Sequence, residues 1–230
     1  MLWVTVLVSP RCAAGDGWGG SLAMTSDYIV RGLSRTNHQA AMQLDLHYFN
    51  TSGFVAGVFA SNTQFDASDA RDAEINAFLG FAWSAAADWN GKVLASHYAY
   101  PWNAAGHGYD YDELAVEVAY QDWVEFAVLY SPNQWRYFPP DSLRGVSAVS
   151  AELNLQRRLI GKLSAAGGVG YSSLGGPGGS GYGYWSAGAV YDLAPVSVAV
   201  SYVNTTAEAR TLFYNAAERG RWTGTVIWRF

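Results

Sequence analysis

Few side chains in this chain could carry chemistry, and their spacing restricts what that chemistry could be. The histidines are His38, His47, His97 and His107, and Cys12 is the single cysteine. An acyl hydrolase at a lipid surface needs a hydroxyl nucleophile and a His on one face, with a third group orienting the His. Ser96 and His97 are neighbours, so in an extended strand they point to opposite faces and cannot pair directly. His47 alternates with Asp45 and Gln43 on one face, as a polar wall would. His107-Gly-Tyr-Asp-Tyr-Asp112 reads as a solvated loop rather than a metal site. Gly175-Gly-Pro-Gly-Gly-Ser-Gly181 lacks the Lys-Ser/Thr of a phosphate-binding loop and reads as a flexible connection. No catalytic residue, metal ligand or cofactor site is expected.

The remaining ionisable and amide side chains form a more coherent set. Asp27, Arg31, Asp45, His47, Glu74, Asn76, Glu113, Glu117, Glu125, Glu152, Asn154, Lys162 and Arg229 all fall on the polar face of an alternating segment. Seven of them are acids and three are Arg or Lys. What these residues do depends on where that face points, and so on the elements that carry them.

Composition narrows the choice. The 230 residues are 50% hydrophobic and 15% aromatic, with 25 Gly and 10 Trp. Only 14% are charged, against about 25% in an ordinary soluble domain. Mean hydropathy is nonetheless -0.01. Disorder is excluded by the high apolar fraction and low charge. No run approaches the ~20 apolar residues of a membrane helix. A net charge of -5 argues against a nucleic-acid partner.

Alternation at period two explains the neutral average. Leu114, Val116, Val118 and Tyr120 oppose Glu113, Ala115 and Glu117; Val196, Val198, Val200 and Tyr202 oppose Ser197, Ala199 and Ser201. Such runs predict twelve strands, at 21–31, 40–49, 53–62, 73–85, 91–100, 111–121, 123–131, 146–156, 158–170, 183–192, 195–203 and 221–230. Short connections are expected at 50–52, near Asn90-Gly91, at Asp122, at Arg157 and at Leu193-Ala194. Long ones fall at 63–72, 101–110, 132–145, 171–182 and 204–220, with an intermediate one at 32–39. Short and long alternate, so the long loops emerge at one end, as in outer-membrane barrels. Tyr28, Tyr48, Trp83, Tyr120, Tyr130, Trp185, Tyr191, Tyr202 and Trp228 are expected at strand ends, where amphipathic rings meet lipid headgroups. The expected fold is therefore all-β: a transmembrane antiparallel up-and-down β-barrel of about twelve strands. A charge on its lipid side costs about 2–4 kcal/mol for Arg or Lys at the midplane, which assigns the polar set to the interior.

The chain ends support this reading. Leu2–Val8 followed by Ala13-Ala14 reads as an export signal over residues 1–14, leaving 15–230 as one barrel domain. Cleavage there removes Arg11 and Cys12, taking the charge from -5 to -6 and leaving no thiol. The last strand carries Trp228 and the terminal Phe230, an aromatic ending that resembles the assembly signal of outer-membrane barrels.

Thr25-Ser-Asp-Tyr-Ile-Val-Arg-Gly-Leu-Ser-Arg-Thr36, then Ala41–Tyr48, then Ser52–Asn62 ending in Ala-Ser-Asn, resemble a bacterial family, the TorF porins. The detailed match covers about residues 22–62; Arg35 stands where the family usually has Gln, and Phe59 where Trp is common. The resemblance implies an outer-membrane barrel and a pore, but no particular solute.

Together these features predict a Gram-negative outer-membrane channel for passive diffusion of small hydrophilic solutes. The acidic excess predicts a preference for cations. Expected partners are outer-membrane lipid, the barrel-assembly machinery through the C-terminal strand, and small solutes, with no nucleic acid. Two alternatives use the same residues. In one, the acids pair with Arg31, Lys162 and Arg229 and fill the interior, giving a non-conducting barrel whose external loops bind a partner. Twelve strands lie between the filled eight-stranded and the open sixteen-stranded barrels. The other is a lipid-modifying barrel enzyme.

Overall fold

The computed structural model describes residues 16–65, 72–85, 88–102, 109–121, 123–134, 145–175, 179–213, 216–217 and 219–230. The export signal, Cys12 and His107 lie outside them.

Alternating faces demand two different environments, and the chain meets this by closing a sheet on itself. The barrel strands are β1 (Gly17–Thr25), β4 (Ala41–Phe49), β5 (Phe54–Thr63), β6 (Asp72–Ala85), β7 (Trp89–Ala99), β8 (Tyr111–Tyr120), β9 (Val124–Gln134), β10 (Val146–Ile160), β11 (Leu163–Leu174), β12 (Ser180–Asp192), β13 (Val196–Thr205) and β14 (Arg219–Arg229). Each pairs antiparallel with its sequence neighbour, and β1 pairs with β14, so all twelve close into one barrel. At the seam Ser21 faces Arg229 and Thr25 faces Thr225. The Gly20 N–H donates to the Phe230 carbonyl at 3.0 Å, and the Phe230 N–H to the Gly20 carbonyl at 3.1 Å. Phe230 thus completes the ladder that removes the last sheet edge.

The two faces differ as the alternation requires. On β8, Leu114 and Val116 are exposed while Glu113 and Ala115 are buried. Leu22, Met24, Leu79, Phe126, Val169 and Val200 also stand exposed on the outside. Aromatic pairs collect towards the strand ends there. Trp18–Tyr48, Trp89–Tyr120 and Trp228–Phe230 pack as tilted pairs, ring centres 5.4, 4.9 and 5.1 Å apart, near the end bearing the short connections. Trp185–Tyr202 and Tyr202–Trp222 pack tilted and edge-to-face, ring centres 5.7 and 5.3 Å apart, nearer the other end.

Short connections join β4 to β5, β6 to β7, β8 to β9, β10 to β11 and β12 to β13 at the end where β1 begins and β14 finishes; β1–β4, β5–β6, β7–β8, β9–β10, β11–β12 and β13–β14 are joined at the other. The last of these carries a short helix, α1 (Ala207–Leu212).

Five expectations need correction. Asn90 and Gly91 lie within β7, paired with Ser84 and Trp83, and are not the turn. The connection expected over 171–182 is shorter, because β11 runs to Leu174 and β12 starts at Ser180. The first strand does not run over 21–31: β1 stops at Thr25, and the chain turns inward into a small hairpin of β2 (Ile29–Val30) and β3 (Leu33–Ser34). Tyr28 therefore sits inside the barrel instead of at a lipid interface; its hydroxyl donates to Glu74 Oε1 at 2.8 Å. Finally, β10 continues past Arg157 to Ile160, and the turn is Gly161-Lys162. Gly161, at φ +56°, supplies the positive-φ first position that a type II′ turn needs. Lys162 is exposed in that turn and does not face the interior.

Candidate functional site

The first long connection folds into the lumen and divides it in two. Its tip is Val30-Arg31-Gly32-Leu33, with Arg31 at φ +52° and Gly32 at φ +74°. Positive φ at both central residues is the type I′ geometry that matches strand twist in a two-residue hairpin. Gly32 answers a second demand, because a Cβ there would collide with Thr205 and Tyr184 on the barrel wall.

Asp27 ties the base of this hairpin. Its Oδ1 accepts from the Ser34 hydroxyl at 2.6 Å and the Thr36 hydroxyl at 2.9 Å, and its Oδ2 lies 3.2 Å from His38 Nδ1. The Tyr28 N–H donates to Thr36 Oγ1 at 3.1 Å, and the Arg35 N–H to the Tyr28 carbonyl at 2.6 Å. Residues Asp27 and Ile29–Thr36 are buried.

The hairpin reaches from wall to wall. Arg31 Nη2 lies 2.5 Å from Glu113 Oε2 on β8, and its Nε lies 3.6 Å from Glu152 Oε1 on β10. Burial opposes the Arg31 charge, but the two glutamates outweigh it, so its pKa is raised and the guanidinium stays protonated. Glu152 also accepts from the Tyr184 hydroxyl on β12 at 2.8 Å. One strand beyond β7 from β8, Glu74 on β6 accepts from Tyr28 at 2.8 Å and from Tyr100 at 2.5 Å. The Arg35 guanidinium lies 5.6 Å from the centre of the Phe65 ring. The Ser34 N–H donates to the Ala216 carbonyl at 2.8 Å, and Leu33 packs with Tyr182, Tyr184, Ala209, Phe213 and Ala217 beneath the last long connection.

Towards the short-turn end the lumen is a cavity of about 370 Å³. Tyr28, Ile29 and Val30 of the hairpin form its ceiling, and Phe59, Phe78, Leu94 and Ile227 contribute apolar wall. Asp45, His47, Lys92 and Arg229 also line it. Most of the interior charges here are paired. His47 Nδ1 lies 2.5 Å from Asp45 Oδ1, and Lys92 Nζ lies 2.7 Å from Glu117 Oε2. Asn154 Nδ2 donates to Glu125 Oε1 at 3.2 Å. Arg229 Nη1 donates to Ser197 Oγ at 2.7 Å.

Of the thirteen residues expected inside, the structure brings Asp27 and Arg31 in on the hairpin. Asp45, His47, Glu74, Asn76, Glu113, Glu117, Glu125, Glu152, Asn154 and Arg229 are on the inward face of strands, and Lys162 is outside. Arg35, Lys92, Tyr98, Tyr100, Tyr111 and Tyr184 were missed, although Lys92 and Tyr98 stand at even spacing on one strand. Tyr98 and Tyr111 stack at 4.3 Å, and the Tyr98 hydroxyl lies 3.4 Å from Glu113 Oε1.

One polar cluster faces the other way. His97 Nδ1 lies 2.8 Å from Asp112 Oδ1, and Asn133 Nδ2 donates to Asp112 Oδ2 at 3.0 Å, on the exposed outer face. This couple contains no hydroxyl nucleophile. Among the described residues no group of three or more His, Cys, Asp or Glu is placed to hold a metal ion.

Three comparisons with known proteins bear on this arrangement. A family profile described as "Bacterial protein of unknown function (Gcw_chp)" matches residues 12–230. The solved structure of the KdgM porin superposes with a TM-score of 0.55 at 10% identity, over 92% of this chain and 99% of that one. The NanC porin gives 0.59 at 7% identity, over 92% and 98%; LpxR from Salmonella typhimurium gives 0.51 at 10%, over 91% and 99%. At these identities the likeness is one of fold. No curated protein sequence matches the chain.

Proposed function

We propose that this chain, which belongs to the Gcw_chp family of bacterial proteins, is an outer-membrane barrel of porin type whose passage for small hydrophilic solutes is controlled by the internal hairpin. The observation that carries this reading is an interior that takes the charged side chains of the strands, within an apolar, aromatic-ended exterior. The structural likeness to porins and the narrower sequence resemblance to the TorF family both support it. Lys92 pairs with Glu117, Asn154 donates to Glu125, and His47 pairs with Asp45. These carboxylates give the path its preference for cations. The outer-facing aromatics meet lipid, and the closing strand ending in Trp228 and Phe230 is the segment the barrel-assembly machinery reads.

Planar-bilayer recording tests this. Discrete steps with a cation-selective reversal potential are expected, together with longer openings when Arg31→Ala frees the hairpin. Silence in both proteins overturns the channel, and anion selectivity overturns the role given to the carboxylates.

A second reading has one specific observation behind it. Arg31 is held by Glu113 and Glu152 on the far wall, so the hairpin bridges the lumen as a permanent strut would. That reading predicts no conductance even after residues 28–36 are replaced by a short Gly-Ser link, and binding that depends on the external loops.

A further inference from the structure

The lumen on the short-turn side of the hairpin is a chamber with a ceiling. Its volume of about 370 Å³ falls within the range of ligand pockets, and a mostly apolar lining with a few convergent polar groups is their usual make-up. The polar groups are not equivalent. His47 is held by Asp45, and Lys92 by Glu117. Arg229 instead donates to Ser197 Oγ at 2.7 Å, and that hydroxyl donates to Asp192 Oδ1 at 2.5 Å. Among the described residues Arg229 makes no direct ion pair; it feels the Asp192 carboxylate through Ser197, and its planar guanidinium keeps further donors for an oxyanion.

The apolar wall is within reach of that cation. Arg229 is in register with Ser21, Ser21 with Asp45, and Asp45 with Phe59. Phe59 thus lies three strands round, about 14 Å along the wall at ~4.8 Å per strand. Phe78 follows on the next strand, and the hairpin's Ile29 and Val30 close the end.

We propose that this chamber binds a small amphipathic anion, a medium-chain carboxylate in type, with its head on Arg229 and its apolar body against Phe59, Phe78 and Leu94. The assignment of its mouth to the periplasmic side rests on the barrel reading above. The occupant is a ligand and not a permeant, because interior carboxylates disfavour its onward passage.

The test uses the full chain in lipid nanodiscs, titrated with octanoate and with octylammonium, empty discs being subtracted. Saturable one-to-one binding of octanoate is expected, at least ~10-fold tighter than octylammonium, since one lost charged contact of this kind corresponds to about a decade in affinity. Arg229→Gln removes that preference, and Phe59→Asn weakens octanoate without restoring octylammonium. Each variant is first checked for the heat-modifiable gel migration of a folded barrel. Equal binding of the two probes, absence of saturable octanoate binding, or an unchanged preference in folded Arg229→Gln overturns the proposal. If Arg229→Gln fails to fold, the wild-type comparison and Phe59→Asn still decide it. Conductance measured on the same protein separates the two readings: steps without octanoate binding overturn the chamber alone, and binding without steps overturns the channel alone.

Discussion

The two halves of the lumen are built from the same strands, yet one is filled and the other is not. Towards the long loops, the hairpin of residues 26–40 places Arg31 between Glu113 and Glu152, and Glu74 between Tyr28 and Tyr100. Towards the short turns, the same strands enclose about 370 Å³. Both halves carry the acidic excess. In the first it is neutralised by a cation delivered from a loop, and in the second mainly by local partners such as Lys92 and His47. A barrel wall of this size does not by itself decide between plug and channel; the segment returned into it does.

Changes on the hairpin should separate the halves, and the largest effect belongs to its tip. Arg31→Ala leaves Glu113 and Glu152 buried without their cation. Breaking a buried pair in this way costs about 3–5 kcal/mol. Hydrogen exchange of the amides of residues 27–36 should quicken by two decades or more while the barrel strands stay protected. If exchange is unchanged, the hairpin is held by its base and roof alone.

Asp27→Ala comes next. It strips the acceptor from the Ser34 and Thr36 hydroxyls and the neighbour from His38. A loss of about 3 kcal/mol in hairpin protection is expected, at roughly 1.5 kcal/mol for each of the two hydroxyl bonds to a charged group. Gly32→Ala should be smaller, about 1–2 kcal/mol for a Cβ in the left-handed region, with a further penalty from the Thr205 and Tyr184 contacts. Its effect should appear in the amides of β2 and β3, and an unaltered exchange pattern there would remove the turn-type argument.

The smallest effect is expected from the other half. Phe78→Leu changes the chamber wall but touches neither Arg31 nor Asp27. Hairpin protection should shift by no more than about 0.5 kcal/mol, the additivity expected of sites with no shared partner. A larger shift would mean that ceiling and hairpin act as one body.

The barrel was legible residue by residue because each strand carries its own evidence. The expected strands at 40–49, 53–62 and 73–85 correspond to β4, β5 and β6 within a few residues. The site was legible only in part. Asp27, Ile29 and Arg31 keep the same period-two spacing as a strand, so 26–31 read as a continuation of β1. The contacts that turn it inward, to Glu113, Glu152 and Ala216, lie far along the chain. The Arg-Gly of the resemblance motif was visible, but its meaning as the tip of a type I′ hairpin was not. Lys162 is misplaced for a local reason: the sequence pattern puts the turn at Arg157, whereas Gly161 is where the chain reverses.

Sequence alone determined the alternation, the number of strands, the side on which the long loops lie and the inward placement of most charges. These follow from the pleat and from the cost of a charge in lipid, and neither needs a distant partner. Only the tertiary structure decided how the interior is divided. Whether Arg31 lines an open wall or bridges to the opposite one depends on the path of a fifteen-residue connection, 26–40, and that path is fixed by carboxylates more than eighty positions away in the chain.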